Sequence, residues 1–233
     1  MVAFSGSDPI GVVIGAKRPS VTLIHKIAVH PDHCRQGHGR HLLTSLSSKL
    51  AILGPPKMVA EVPENFAATR ELFVASGYLQ EALLTDYVLD REASVVGDAA
   101  GMFVFPVTID DLAANDLLGE DHPQVCWERS VETLTARKDD IAGLAVASDE
   151  RIEAYLLYVE RGVEAAEILS LRSFVEDGGG RLTQLLSQLR ARGFRTFWLP
   201  KVHPAEISQG LLETLGFRPA GGHLLYAARA RSE

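Results

Sequence analysis

The residues best suited to chemistry in this chain lie where a β-branched run gives way to a leucine stripe. Val21-Thr22-Leu23-Ile24-His25-Lys26-Ile27-Ala28-Val29 has the composition of a central strand, and His30-Pro31-Asp32 ends it. Gly37 and Gly39 follow, with Arg35, Gln36, His38 and Arg40 around them, and Leu42, Leu43, Leu46 and Leu50 then recur at helical spacing. Glycines at such a junction let the backbone approach a ligand closely. The first turn of a helix leaves its N–H groups without internal partners, and its dipole favours anions. A pyrophosphate therefore fits here with few side chains, and Arg35 and Arg40 add positive charge close by. A Gly-x-Gly before a helix also serves as a plain tight turn, so the loop alone does not decide the matter.

Two further groups bear on catalysis. Glu61, in the apolar run Met58-Val59-Ala60-Glu61-Val62, is a candidate general base, although a carboxylate on an exposed strand face fits that position equally. His25, on the presumptive central strand, is a second candidate. It belongs to a crowd of histidines at 25, 30, 33, 38 and 41. His38 and His41 stand three apart on the expected helix, which is ligand spacing, but no carboxylate or thiolate cluster completes a metal site, so none is expected. Cys126-Trp127 reads either as part of an acceptor pocket or as a buried core pair.

The elements that must hold these residues follow from periodicity and turn chemistry. Residues 2–5, 10–16 and 21–29 read as consecutive strands, with Ser5-Gly6-Ser7-Asp8-Pro9 as a hairpin turn. A helix runs from Gly39 to the stop at Gly54-Pro55-Pro56. Lys57–Val62 returns as a strand, Ala67–Ala75 as a helix capped by Gly77, and Leu83–Leu89 as a strand.

An internal repeat organises the whole. Ile10, Gly37-His38-Gly39-Arg40 and Ser76-Gly77-Tyr78 are echoed by Ile152, Gly178-Gly179-Gly180-Arg181 and Leu215-Gly216-Phe217, at offsets of about 140 residues. Such a period is too long for a solenoid unit, so two domains are expected: 1–92, a linker at 93–101, and 102–233. The second copy has additional early elements, a strand at Phe103–Thr108 and helical stretches at Asp110–Leu118 and Val125–Lys138, that the first copy lacks. The first domain is therefore expected to be completed by something else, the second domain or another chain, since a missing strand leaves an open sheet edge. A homodimer is one such arrangement.

The motifs around the first junction resemble those of the GNAT superfamily of N-acetyltransferases. Val29-His30-Pro31 through Gly37-His38-Gly39-Arg40 is similar to that family's acetyl-CoA loop, Ala60-Glu61-Val62-Pro63-Glu64-Asn65 to its fifth strand and asparagine, and Leu72-Phe73-Val74-Ala75-Ser76-Gly77-Tyr78 to its Leu-Tyr-x-x-x-Gly-Phe helix end. The order and spacing match across residues 2–90, and a degenerate form covers roughly 102–229. The resemblance implies an α/β (α+β) fold of two GNAT-like domains, each a mixed, mostly antiparallel sheet flanked by helices, the first without its N-terminal strand and helices. It implies acetyl-CoA as co-substrate and a primary amine of a small molecule or peptide as acceptor. By the same resemblance Ile27, Ala28 and Val29 bind the pantetheine arm, and Arg35, Gln36, Gly37, His38, Gly39, Arg40, Asn65 and Phe73 belong to the cofactor-binding set, with Glu61 or His25 as base.

Two departures stand out. The Arg or Gln that begins the family's loop falls on Cys34, and the tyrosine that can protonate the leaving thiolate falls on Phe73. In the second copy Glu176 and Asp177 stand where a pyrophosphate would sit, which implies a lost cofactor site. These departures keep a second reading open, a non-catalytic acyl-CoA-binding or regulatory module, and a third, an unrelated α/β protein that binds ATP or NAD.

Composition narrows the classes. The net charge of −7 arises entirely after residue 96: residues 1–96 hold nine Lys/Arg and nine Asp/Glu, and the remainder fourteen and twenty-one. No basic footprint for nucleic acid is visible. No apolar run reaches the length a membrane helix needs, and no basic stretch followed by an apolar core marks secretion, so no nucleic acid, no membrane and a cytoplasmic location are expected. Two distant cysteines, Cys34 and Cys126, fit a reducing compartment.

Overall fold

The computed structural model describes residues 1–90, 103–118 and 125–231. Its elements, in order, are β1 (Val2–Ser5), β2 (Asp8–Lys17), β3 (Val21–Val29), α1 (His38–Leu53), β4 (Lys57–Pro63), α2 (Ala67–Ala75) and β5 (Leu79–Leu89). Then come β6 (Phe103–Pro106), α3 (Ile109–Ala114), α4 (Val131–Ala136), β7 (Ala142–Ala147), β8 (Ile152–Glu160), β9 (Ala165–Ser173), α5 (Gly180–Ala191), β10 (Thr196–Val202), α6 (Gln209–Thr214) and β11 (Arg218–Arg229). Short 3-10 turns cover Pro31–His33, Trp127–Arg129 and Lys138–Asp140. No helix among the described residues is long and apolar enough to cross a membrane.

The chain divides into two compact units, Met1–Leu83 with Gly222–Glu233, and Leu84–Gly221. The expected linker at 93–101 lies outside the described residues. The units depart from a simple division at that linker, because each takes a strand from the other half of the sequence. In the first unit residues 223–229 of β11 pair antiparallel with β4, Leu224 beside Val62 and Tyr226 beside Ala60. In the second, residues 85–89 of β5 pair antiparallel with β10, Leu89 beside Phe197 and Tyr87 beside Leu199.

The first unit orders its strands β1-β2-β3-β4-β11, antiparallel except for the parallel pair β3 and β4. That parallel pair requires a crossover, which α1 supplies. Leu42, Leu43, Leu46 and Leu50 form the buried stripe of α1, as the spacing predicts. They meet Met58, Ala60 and Val62, the alternate residues of β4, together with Val13, Ile24, Phe73, Tyr78, Leu224 and Tyr226. Each leucine buried this way contributes about 1.5–3 kcal/mol. Burial pushes the Tyr78 phenol well above its ordinary range, and its hydroxyl lies 3.6 Å from the Met58 sulfur.

The second unit orders its strands β5-β10-β9-β8-β7-β6, with β9 and β10 parallel across α5. Both faces of this sheet are covered. Leu182, Leu185, Leu186 and Leu189 of α5 pack with Leu156, Ile168 and Phe197 on one face. Ile109, Leu112 and Leu134 of α3 and α4 pack with Tyr155, Leu157 and Leu169 on the other. Ala154 to Val159 of β8 are consequently all buried. A capping box starts α3: the Thr108 hydroxyl accepts the Asp111 N–H at 3.1 Å, and the Asp111 carboxylate accepts the Thr108 N–H at 2.9 Å. Among the described residues the first unit has no counterpart of β6, α3 and α4.

Candidate functional site

The first unit's parallel strands part company after one short stretch. β3 and β4 pair only at Val21 with Lys57, Thr22 with Met58 and Leu23 with Val59. Beyond Leu23, β3 keeps its β2 partners out to Val29, while β4 keeps its β11 partners out to Pro63. The result is a wedge whose β3 edge offers backbone N–H and C=O groups to an extended ligand. Ile27, Ala28 and Val29 lie along one arm; Glu61, and Asn65 in the exposed turn after β4, belong to the other. A bulge falls at His25: Gly15 pairs with Ile24 and Ile14 with Lys26, which leaves His25 as the extra, exposed residue. Glu61 is half-buried beside Leu225 of β11, on the sheet face opposite Met58, Ala60 and Val62.

The loop from β3 to α1 closes the wide end of this wedge. The His33 N–H donates to the His30 carbonyl at 2.9 Å and the Cys34 N–H to the Pro31 carbonyl at 3.1 Å, forming the 3-10 turn. The His30 Nδ1 accepts the Asp32 N–H at 3.4 Å, and the Gln36 amide donates to the Asp32 carbonyl at 3.0 Å. The Cys34 thiol donates toward the His30 carbonyl at 3.5 Å. Gly37, the residue before α1, has φ of 88°, a left-handed conformation in which a β-carbon would meet no other atom within 4 Å. Gly39 works differently: a β-carbon there would come within 3.1 Å of Leu72, so this glycine lets α1 and α2 approach closely.

No side chain caps the start of α1, and its first turn carries no acidic residue. The His41 N–H is bonded to the Gly37 carbonyl at 2.9 Å, while the amides of His38, Gly39 and Arg40 precede the first internal acceptor. This geometry suits an anion. The two arginines beside it reach α2. Arg35 pairs with Glu71 at 3.3 Å, and Arg40 donates to the Ala75 carbonyl at the end of α2. Both guanidinium groups therefore tie the loop to α2.

Phe73 is the buried residue of α2. It is only 2 % exposed, stacked on Tyr226 with centroids 5.9 Å apart and edge-on to Tyr78 at 5.0 Å. Its ring is a core residue of the first unit. Among the described residues no group of His, Cys, Asp and Glu side chains is arranged to hold a metal ion.

The second unit repeats the wedge but not the open helix end. β9 and β10 pair only at Ala165 with Thr196, Ala166 with Phe197 and Glu167 with Trp198, and a bulge falls at Leu169. Gly179, φ 91°, precedes α5 as Gly37 precedes α1, so the structural offset is 142 and Gly179, not Gly178, is the counterpart of Gly37. The connecting loop is shorter, residues 174–179 against 30–37. Asp177 fills the position of an anionic ligand. Its carboxylate accepts the Gly179 N–H at 3.0 Å and the Arg181 N–H at 2.8 Å, and pairs with the Arg181 guanidinium at 3.4 Å. Glu153 holds the same guanidinium at 2.9 Å. Glu176 is exposed. A groove of about 420 Å³ remains beside this plug, lined by Leu171, Phe174, Asp177, Leu182, Glu206 and Leu211 among others.

One buried polar cluster went unrecognised in the sequence. Arg129, side chain 1 % exposed, pairs with Glu206 and donates to the Lys201 carbonyl at 3.0 Å. Lys201, φ 52°, reaches Glu128 at 2.9 Å, and its N–H reaches Asp86 at 2.8 Å. Burial pushes the Glu128 carboxyl up, but the Lys201 charge and the hydrogen bonds it receives outweigh that and hold it below the ordinary range. Cys126, next to this cluster in sequence, is buried. No local motif marks these residues, which converge only in three dimensions.

A wedge between parallel strands beside a glycine-led helix is thus built twice, with variation, which makes this a tandem α/β fold. Residues 1–78 match the model of the acetyltransferase (GNAT) family. No curated protein sequence is significantly similar to it. Among solved structures, a tandem GNAT protein from the clavulanic acid biosynthesis pathway, solved without AcCoA, shares 17% identity at a TM-score of 0.66, over 100% of this chain and 82% of its own. A GCN5-related N-acetyltransferase from Sphaerobacter thermophilus shares 14% identity at 0.70, over 97% and 78%. One from Kribbella flavida shares 14% at 0.63, over 94% and 87%. At these identities the likeness is one of fold.

Proposed function

We propose that this chain transfers the acetyl group of acetyl-CoA to a primary amine of a small molecule or peptide, using the wedge of its first unit. The observation that carries this is the contrast between two helix ends: α1 starts on Gly37 with no side-chain cap, while α5 has a carboxylate bound at the same place. The diphosphate of the cofactor is held by the amides at Gly37, His38 and Gly39. Its pantetheine arm runs along Ile27–Val29 in the wedge. The amine nitrogen attacks the thioester carbonyl, the C–S bond breaks, and the acetyl group remains on nitrogen. Glu61 accepts the amine proton, and a β3 backbone N–H polarises the thioester oxygen. His25, exposed at its bulge, is the other candidate base. With Phe73 in the core, water protonates the departing thiolate. Neither Cys34 nor Cys126 is in a disulfide, which fits a cytoplasmic setting.

The buried, hydroxyl-free Phe73 favours a second reading, a module that binds acyl-CoA without turning it over. Calorimetry with acetyl-CoA, followed by a thiol-release assay across an amine panel, separates the two. Binding with amine-dependent thiol release supports the transferase; binding without release from any amine supports the module; no binding removes both.

A further inference from the structure

The second unit's wedge has a shape and an edge of its own. β9 and β10 separate after Glu167 and Trp198, yet β9 runs on to Ser173 with its β8 partners, Leu171 beside Leu156 and Ser173 beside Ala154. The Phe174 N–H donates to the Glu153 carbonyl at 2.8 Å. Alternation along an antiparallel ladder then turns the backbone N–H and C=O of Leu171 and Ser173 away from β8 and into the gap. Both residues line the groove of about 420 Å³ beside Asp177. A strand edge of this kind pairs with a chain of the same period, an extended peptide.

The walls of the groove narrow the kind of peptide. Leu171, Phe174, Leu182, Ile207 and Leu211 give apolar contact, and Phe174 is 38 % exposed. Asp177 already holds the Gly179 and Arg181 amides, so a phosphate-bearing chain has no place at the helix end. Arg172 and Glu176 also line the groove and offset one another in charge.

Arg129 lacks acceptors that such a peptide has. Its side chain is 1 % exposed, and its Nη2 donates both to Glu206, which stands in the groove wall, and to the Lys201 carbonyl. Its Nε and Nη1 have no hydrogen-bond partner among the described residues. A buried donor without a partner has lost its hydration for no return, which is why such groups are rare. The charges nearby are already matched: Arg129 with Glu206, Lys201 with Glu128 and Arg181 with Asp177. The missing acceptor is therefore a neutral carbonyl, since a further carboxylate would be a buried charge without a counterion. We infer that the second unit's wedge binds a short, uncharged, extended peptide with apolar side chains, which adds to the β9 edge and gives a carbonyl to Arg129. Every residue of this site lies in the second unit, so it is independent of the first unit's cofactor.

The test is an NMR titration of the full chain with the blocked peptide N-acetyl-Ala-Leu-Ala-amide. The amides of Leu171, Ser173 and Phe174 and the side-chain Nε–H of Arg129 should shift together and saturate at one peptide per chain, with a dissociation constant on the order of 0.1–1 mM. N-acetyl-Pro-Leu-Pro-amide, which lacks two of the N–H donors, should bind at least about tenfold more weakly. Phe174→Ala, at a partly exposed wall position, should weaken the first peptide roughly tenfold while the second unit keeps its fold. Silence of these signals at millimolar peptide, shifts at Ile27–Val29 instead, equal binding of the proline peptide, or tighter binding of pantetheine than of peptide at the same signals overturns the inference. None of those results bears on coenzyme A binding by the first unit, which the calorimetry above decides separately.

Discussion

Replacing Tyr226, near the end of the sequence, should destabilise the unit that begins at residue 1. Tyr226 sits on β11 beside Ala60 of β4, is 2 % exposed, and stacks on Phe73. Tyr226→Ala removes a buried ring and leaves a cavity next to Phe73 and Leu224. By analogy with other aromatic truncations the cost is about 3–5 kcal/mol, a large part of the ~5–15 kcal/mol by which a domain is stable. The loss should appear far away in sequence. Both tryptophans, Trp127 and Trp198, lie in the second unit, so intrinsic fluorescence follows that unit alone. Amide hydrogen exchange follows the first. In the variant the amides of α1 and β4 should lose protection in step with residues 223–229, by a factor matching the lost free energy. The tryptophan unfolding midpoint should shift much less. Faster exchange confined to 222–231, with α1 as protected as before, would refute the strand assignment on which the calculation rests.

Three further outcomes follow from named contacts. Asp177→Ala removes the group that satisfies the Gly179 and Arg181 amides at the start of α5, so it should cost about 1 kcal/mol and lower the second unit's melting temperature by roughly 2–4 °C, with acetyl-CoA affinity unchanged. Glu61→Gln should lower turnover by about 10²–10⁴-fold with little change in acetyl-CoA affinity; a pH–rate profile identical to wild type across neutral pH would remove Glu61 as the base. The Thr108 hydroxyl and N–H hold the Asp111 carboxyl below the ordinary aspartate range. A carboxyl depressed on folding adds stability at pH values above its unfolded pKa and loses it as pH falls through the folded value. Thr108→Ala should therefore raise the Asp111 pKa and shallow the acid-side loss of stability; carbon-detected NMR titration checks it, and an unmoved Asp111 titration would contradict the cap.

Much of this architecture was legible from periodicity. The Leu42, Leu43, Leu46, Leu50 stripe, the stop at Gly54-Pro55-Pro56 and the strand alternation at 57–62 each state their own structure. The strand exchange was not legible. The alternation of Leu79–Leu89 says which face is buried but not which neighbour accepts its hydrogen bonds, and a β-strand's partner is settled only by tertiary packing. The run Gly178-Gly179-Gly180 hid the register of the repeat by one residue, because any of the three satisfies a glycine pattern. The contacts of Arg35 with Glu71 and of Arg40 with the end of α2 depend on how α1 and α2 pack, which the spacing of these arginines does not state. In the sequence Asp177 reads as a source of repulsion toward pyrophosphate; the structure shows the physical form this takes, a carboxylate bound to the amides themselves. An aspartate shortly before a glycine-led helix is capping chemistry, and that signal was available in the sequence.

The central claim is that α1 offers its first amides to a diphosphate and α5 does not. An amide-resolved NMR titration of the full chain with coenzyme A tests it directly. The account predicts that the signals of Gly37, His38 and Gly39 move together and saturate at one ligand per chain, while those of Gly179 and Gly180 stay in place. Movement at Gly179 and Gly180 with a silent Gly37–Gly39 would contradict it.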